Sequence, residues 1–501
     1  MAREGYLLGF DVGSSAVKAA VLDAASGRLA ASAVSPKTEL AIDAPRPGWA
    51  EQDPRTWWQH VILAARECAA GCGGRWKDVR AIGVSYQMHG LVVVDRSGAP
   101  LRPSIIWCDS RAVAIGEAAF RELGEQFCRE HLLNSPGNFT AAKLAWVKAN
   151  EPAVFARIHK AMLPGDYVAF RMTGSIRTTP SGLSEGILWD FVADGVSDAV
   201  LRYFAIPRAM LADPLPTFSV QGELSSAAAE ELGLPPGIPV SYRAGDQPNN
   251  AFSLGVLEPG QLAATAGTSG VVYGVADQPR SDPQSRVNTF VHVNHSATTR
   301  RYGVLLCVNG TGALYRWLRQ ALGADRTYGE LNRLAGQAPV GSDGLAVLPY
   351  GNGAERTLGN RNPGASVRGL DFNRHGLPHL LRAGQEGIVF ALDFGLDIMR
   401  AMGIECRTVR AAEANMFLSP LFCEAFATVT GARVELFNTD GAQGAARGAG
   451  RGAGIHASTA EAFVGLAAVK TVEPDSRLAA PYREARARYQ DLLARDLAIP
   501  S

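Results

Sequence analysis

The chain has 501 residues, 49 basic and 48 acidic side chains, and a formal net charge of +1. Apolar residues make up 47% and charged residues 19%, the balance of a globular protein with a sizeable core. Near-neutral charge gives no field to attract a polyanion, so nucleic acid is not an expected partner, and the composition excludes a disordered chain, a coiled coil and a collagen-like repeat.

In chain order, Gly5–Val12 reads as a strand rather than as the apolar core of a signal peptide. Ala16–Asp23 reads as its partner across a tight Gly13-Ser14-Ser15 turn. Glu51–Ala70 reads as a helix started by Asp53-Pro54. Ala81–Val84 and Leu91–Asp95 read as a second strand pair, separated by Gln87-Met88-His89-Gly90 and the two residues before it. Phe139–Ala149 and Pro152–Met162 read as helices, and Pro481–Leu497 as a solvated terminal helix. No run reaches about 18 uncharged apolar residues, so no membrane span is expected. The odd set of seven cysteines predicts reduced thiols, some filling the core, in a cytoplasmic protein.

A boundary is expected near Val256–Gly260, giving domains 1–256 and 257–501. Beyond it Gln261–Ala266, the turn Gly267-Thr268-Ser269-Gly270 and Val271–Val275 echo the opening hairpin, which suggests a duplicated α/β unit. Small residues in both turns let backbone N–H groups and hydroxyls face a phosphate, with Lys18 adding charge to the first. Asp11, at a strand end, suits Mg²⁺ directly or through water. Neither turn is a P-loop or a dinucleotide fingerprint. Gly245-Asp246-Gln247, ahead of the boundary, offers a carboxylate to accept a hydroxyl proton, although composition by itself favours an Asx turn there.

Taken in order, these segments resemble the FGGY carbohydrate kinases, and among them the xylulose kinases. Gly9–Ser15, Trp49-Ala50-Glu51-Gln52-Asp53-Pro54, Gln87-Met88-His89-Gly90, Trp107-Cys108-Asp109-Ser110-Arg111, Leu163-Pro164-Gly165-Asp166-Tyr167, Gly245-Asp246-Gln247, Gly267–Gly270 and Leu348-Pro349-Tyr350 carry the resemblance. It implies an α/β fold with two actin-like ATPase (ribonuclease H-like) domains flanking a deep cleft, sugar on the N-terminal domain and ATP on the C-terminal one. It implies Asp246 as general base, and Asp11 near Mg²⁺ and the transferring group, with Asp246 as a further metal contact. Gln87, Met88, His89 and Gln247 are implied to touch the sugar. Gly13, Ser14, Ser15, Lys18, Gly267, Thr268, Ser269 and Asn415 are implied around ATP. D-xylulose is the first-choice acceptor. Ribulose, gluconate, glycerol or a deoxy sugar, or a non-catalytic sugar-sensing role, are the alternatives. The implied partners are a sugar and ATP, with no nucleic acid and no membrane, and a homodimer is a candidate assembly.

Three stretches depart from the family pattern. Ala411-Ala412-Glu413-Ala414-Asn415 stands where a glycine-rich adenosine loop is usual, and its Cβ atoms leave the backbone less freedom. Pro180–Gly186 differs from the usual S-D-A-S-G. Pro248-Asn249-Asn250 is expected to lengthen the catalytic loop or to alter sugar selectivity.

Overall fold

A computed structural model describes residues 4–323 and 325–498. The first three residues, part of the segment read as lacking a signal peptide, lie outside the described residues. The chain forms two compact units. One holds the chain up to Gly255 with Phe290–Tyr302 and Thr439–Leu466; the other holds Val256–Thr289, Gly303–Asn438 and the chain from Ala467.

In the first unit the opening hairpin forms as expected. Strand β1 (Tyr6–Val12) pairs antiparallel with β2 (Val17–Asp23), and β2 pairs with β3 (Leu29–Ser35). On its other edge β1 runs parallel to β4 (Val79–Tyr86). Beyond β4 lie β5 (Phe218–Glu223) and β6 (Pro239–Gly245), in the sheet order β5-β6-β4-β1-β2-β3. Helix α1 (Pro54–Gly71) is capped by Asp53, and it packs Trp57, Trp58 and Val61 into the core with Leu8, Phe10 and Val84. Helices α2 (Thr140–Asn150), α3 (Pro180–Glu185) and α4 (Asp246–Ser253) complete the parts that matter for the site.

Two expectations in this unit need correction. Val92–Val94 is a strand, but it pairs with Lys160–Met162 and not with β4. Pro152–Met162 is not one helix: a single turn, Pro152–Phe155, precedes that strand. The alternation of apolar residues there fits either period over so short a run.

The second unit repeats the opening motif. Strands β7 (Gln261–Ala266) and β8 (Gly270–Ala276) form an antiparallel hairpin. Helices α5 (Thr311–Leu322) and α6 (Leu377–Ala401) follow. Strand β9 (Thr408–Ala412) runs parallel to β7, as β4 does to β1, and β10 (Arg433–Phe437) continues the sheet.

The chain then supplies helix α7 (Gly441–Gly452) to the first unit. Its sequence, GAQGAARGAGRG, holds five glycines, which disfavour a helix. Packing explains it. A Cβ on Gly448 would stand 2.4 Å from the Tyr242 ring, and one on Gly9 of β1 would stand 1.9 Å from the Ala442 carbonyl. Helix and sheet therefore meet backbone to backbone. With α1 on one face and α7 on the other, β1 is buried almost throughout, and its sequence is apolar but for Asp11.

The final helix, Ala479–Ala498, is not wholly solvated. Tyr482, Ala485, Tyr489 and Leu493 are buried, and the Tyr489 hydroxyl donates to that of Tyr350 at 2.7 Å. None of the seven cysteines is joined in a disulfide. Among the described residues no helix is long and apolar enough to cross a membrane.

Candidate active site

The first hairpin turn is tied down by its carbonyls. Gln52 Nε2 donates to the Ser14 carbonyl at 2.7 Å, and the Leu40 N–H donates to the Ser15 carbonyl at 2.7 Å. In a trans peptide the next N–H points the opposite way. The Ser15 and Ala16 N–H groups therefore face away from these anchors. Gln52 also accepts from Trp57 Nε1 at 3.0 Å and from Gln87 Nε2 at 3.3 Å, so the W-x-E-Q-D-P segment braces turn and loop together. Trp107 Nε1 donates to Ser14 Oγ at 3.2 Å.

Asp11 ends this strand. Ser85 Oγ donates to its Oδ1 at 2.8 Å. A Cβ on Gly441 would lie 2.6 Å from its Oδ2, so the carboxyl rests on the first residue of α7. Helix N-termini favour negative charge, but burial dominates. Desolvation raises the Asp11 pKa, Lys18 and Ser85 oppose the rise, and Asp440 adds to it.

Asp246 follows directly on β6 and is the first residue of α4. Burial pushes its carboxyl up to about 7, and the neighbouring charge of Asp11 adds to the rise. Hydrogen bonds from Gln247 and the charge of Lys18 restrain it. The structure therefore couples Asp11, Lys18, Asp246 and Gln247 electrostatically. Pro248-Asn249-Asn250 does not lengthen a loop: it lies within α4, where proline is tolerated in the first turn. Asn249 Nδ2 donates to the Gly441 carbonyl at 2.9 Å, tying α4 to α7.

The Gln87-Met88-His89 loop leaves the end of β4. Gln87 and Met88 are buried. His89 adopts a left-handed backbone, φ 61°, uncommon for a residue with a Cβ. Two contacts hold it there. Lys143 Nζ, from α2, donates to the His89 carbonyl at 3.0 Å and to the Ile106 carbonyl at 2.9 Å. His89 Nδ1 lies 2.9 Å from the Glu185 carbonyl. A carbonyl only accepts, so Nδ1 carries the proton. Burial lowers the Lys143 pKa to about 7. The L-P-G-D-Y segment is structural here: Asp166 forms a buried pair with Arg243 of β6 at 2.8 Å.

In the second unit the Gly267 carbonyl accepts from the Gly312 N–H at 2.7 Å and from Thr311 Oγ1 at 2.9 Å. The Ala313 N–H donates to the Thr268 carbonyl at 3.3 Å. By the same peptide geometry, the N–H groups of Thr268 and Ser269 point away from α5. The Asn415 side chain faces Gly267, with Nδ2 3.4 Å from the position of a Cβ there. Between Ala411 and Asn415 the left-handed backbone falls on Asn415, φ 55°, a residue type that tolerates it. The alanines thus follow a path that does not need glycine.

Sequence reasoning missed Ser85, Lys143 and Glu185 as neighbours of these groups. Ser85 sits one residue beyond Val84, where the reading of that strand stopped. Lys143 lies in the first turn of a correctly read helix, and a buried lysine among alanines and leucine was the available signal.

A tied-back turn in each unit, and in the first unit a carboxyl of raised proton affinity beside a polar loop, are features that phosphoryl transfer to a hydroxyl would use. Family comparison agrees. Residues 6–253 match the N-terminal domain of the FGGY family of carbohydrate kinases, and residues 262–455 match its C-terminal domain. The chain belongs to the FGGY carbohydrate kinases, two-domain α/β enzymes of the actin-like ATPase architecture that phosphorylate sugars with ATP. It is 31% identical over 497 residues to the xylulose kinase of Escherichia coli (strain K12), across 97% of this chain and 98% of that one. It is 32% identical over 402 residues to the xylulose kinase of Klebsiella pneumoniae, across 79% and 80%. A crystal structure of a xyloylose kinase from Brucella ovis matches with a TM-score of 0.89 at 28% identity, across 99% of this chain and 100% of that one.

Proposed function

We propose that this chain transfers the γ-phosphoryl group of ATP to the 5-hydroxyl of D-xylulose, with Asp246 as the general base. One observation carries the assignment of the base: the Asp246 carboxyl, first residue of α4 and pushed up to about 7. A base of that affinity holds the hydroxyl proton at neutral pH as the oxygen attacks phosphorus. Gln87, Met88, His89 and Gln247 orient the ketose, with His89 fixed in one tautomer by the Glu185 carbonyl. The turns at Gly13–Ser15 and Gly267–Ser269, with Lys18 and Asn415, hold the phosphates through N–H groups and charge. In-line approach of hydroxyl and phosphorus supplies the rate.

The donor set fits Mg²⁺. Among the described residues no group of three or more His, Cys, Asp or Glu side chains gathers as a metal site, and Mg²⁺ commonly takes one or two carboxylates with waters and phosphate oxygens. Asp11 and Asp246 would hold it, and bound there it would neutralise charge on the phosphates. Seven cysteines with no disulfide among them support a cytoplasmic location.

The test is ATP consumption with D-xylulose beside ribulose, gluconate and glycerol, for wild type and Asp246→Asn. Preference for D-xylulose and a near-silent variant are expected. A variant as fast as wild type removes Asp246 as the base, and preference for another polyol changes the acceptor.

A further inference from the structure

Glu185, the last residue of α3, is a buried acid that phosphoryl transfer as described leaves unused. It is 1% exposed. Among the described residues the Tyr86 hydroxyl is the donor placed near the carboxyl, and it can serve one of the two oxygens at a time. Leaving a buried polar group unpaired costs about 1–3 kcal/mol, so such a group in a folded protein calls for a reason.

Its surroundings supply one. Glu185 Oε2 lies 2.5 Å from where a Cβ on Gly245 would stand, and Met88 Cγ lies 2.6 Å from the same point. The carboxyl therefore packs on the backbone immediately before Asp246 and beside a residue of the Gln87–His89 loop. The helix carrying it is pinned. Thr179 Oγ1 caps it by accepting from the Gly182 N–H at 3.0 Å. Ser184 Oγ donates to the Ser181 carbonyl at 2.7 Å and accepts from the Val291 N–H at 2.9 Å. The Glu185 carbonyl is engaged by His89. Burial pushes the Glu185 pKa well up, a hydrogen bond from the Tyr86 hydroxyl opposes the rise, and the charges of Asp246 and Asp166 add to it. A carboxyl oxygen accepts hydrogen bonds in either protonation state, which suits a polyol hydroxyl.

We infer that Glu185 is an acceptor-recognition residue, its carboxyl forming a hydrogen bond with a hydroxyl of the bound polyol other than the one phosphorylated. The inference rests on the reading of Asp246 and the Gln87–His89 loop as the acceptor site. It makes residue 185 a determinant of which polyol is used.

Glu185→Met keeps the volume and removes the polar atoms, and Glu185→Gln keeps donor and acceptor. Each is assayed with the preferred acceptor and with its monodeoxy analogues, alongside thermal unfolding. Glu185→Met is expected to unfold no earlier than wild type and to lose about 10–100-fold in kcat/KM, chiefly through acceptor KM, with nucleotide KM unmoved. Glu185→Gln is expected to recover to within about fivefold of wild type. With one deoxy analogue the Met variant and wild type should converge, because the partner hydroxyl is gone. Equal loss on every analogue, or no loss on any, overturns the inference. If Glu185→Met fails to fold, Glu185→Leu is read in the same way: convergence with wild type on one deoxy analogue supports the contact, and equal loss on every analogue refutes it. Wild type inactive on all polyols overturns the kinase reading and this inference together, whereas an active wild type with an indifferent Met variant overturns this inference alone.

Discussion

The two glycine-serine/threonine hairpins share a local design and differ in what surrounds them. In each, two successive turn carbonyls are tied back, so the N–H groups that follow face the other way. The first is tied by the Gln52 side chain and the Leu40 N–H, and carboxylates stand beside it: Asp11 at the strand end, with Asp246 and Asp440 coupled to it. The second is tied to the N-terminus of α5, and its neighbours are neutral: Thr311, Gly312 and Asn415. The same turn thus stands among carboxylates in one unit and among neutral side chains in the other, and the flanking residues, not the turn, set that difference.

The sharpest way to break the comparison is at the carboxylates. Asp246→Asn is expected to lower turnover about 10²–10⁴-fold, with acceptor binding by calorimetry largely kept. The same variant tests the cost of the buried charge. An unfolded aspartate titrates near 4, whereas the folded Asp246 holds its proton up to about 7. Folding therefore takes up a proton between those limits, and stability falls as pH rises through them. In metal-free buffer at pH 8 the Asn variant should be more stable than wild type by on the order of 1–3 kcal/mol, read from denaturant unfolding. Wild-type activity, conversely, should climb with pH through about 7, because protonated Asp246 accepts nothing.

Asp11→Asn comes next, with a loss of about 10²-fold in kcat. It removes the charge that raises Asp246, so the acid limb of its residual pH–rate profile should move to lower pH. An unmoved limb would dissolve the coupling between the two carboxyls. In the second unit, Gly312→Ala puts a Cβ 2.3 Å from the Gly267 carbonyl. Nucleotide KM is expected to rise about tenfold while the acceptor is bound as before, since only the neutral hairpin is disturbed. Equal effects on both substrates would refute the division of labour. The smallest effect belongs to Thr311→Val, which removes one hydrogen bond to the same carbonyl. It should cost about 1 kcal/mol of stability and a few-fold in nucleotide KM.

The sequence by itself determined much. Both hairpins and the start of α1 at Asp53-Pro54 are local patterns, set by period, cap and turn residues within a dozen positions. Which strands share a sheet was not local. Val92–Val94 looked like a partner of β4 and pairs with Lys160–Met162 instead. Tertiary structure alone decided that α7, 430 residues beyond β1, closes the first unit, and that Glu185, Lys143 and Ser85 gather around Asp246, His89 and Asp11. A carboxyl's proton affinity depends on the atoms that displace water from it and on the charges that face it. Those come from segments far apart in the chain, and only folding brings them to one place.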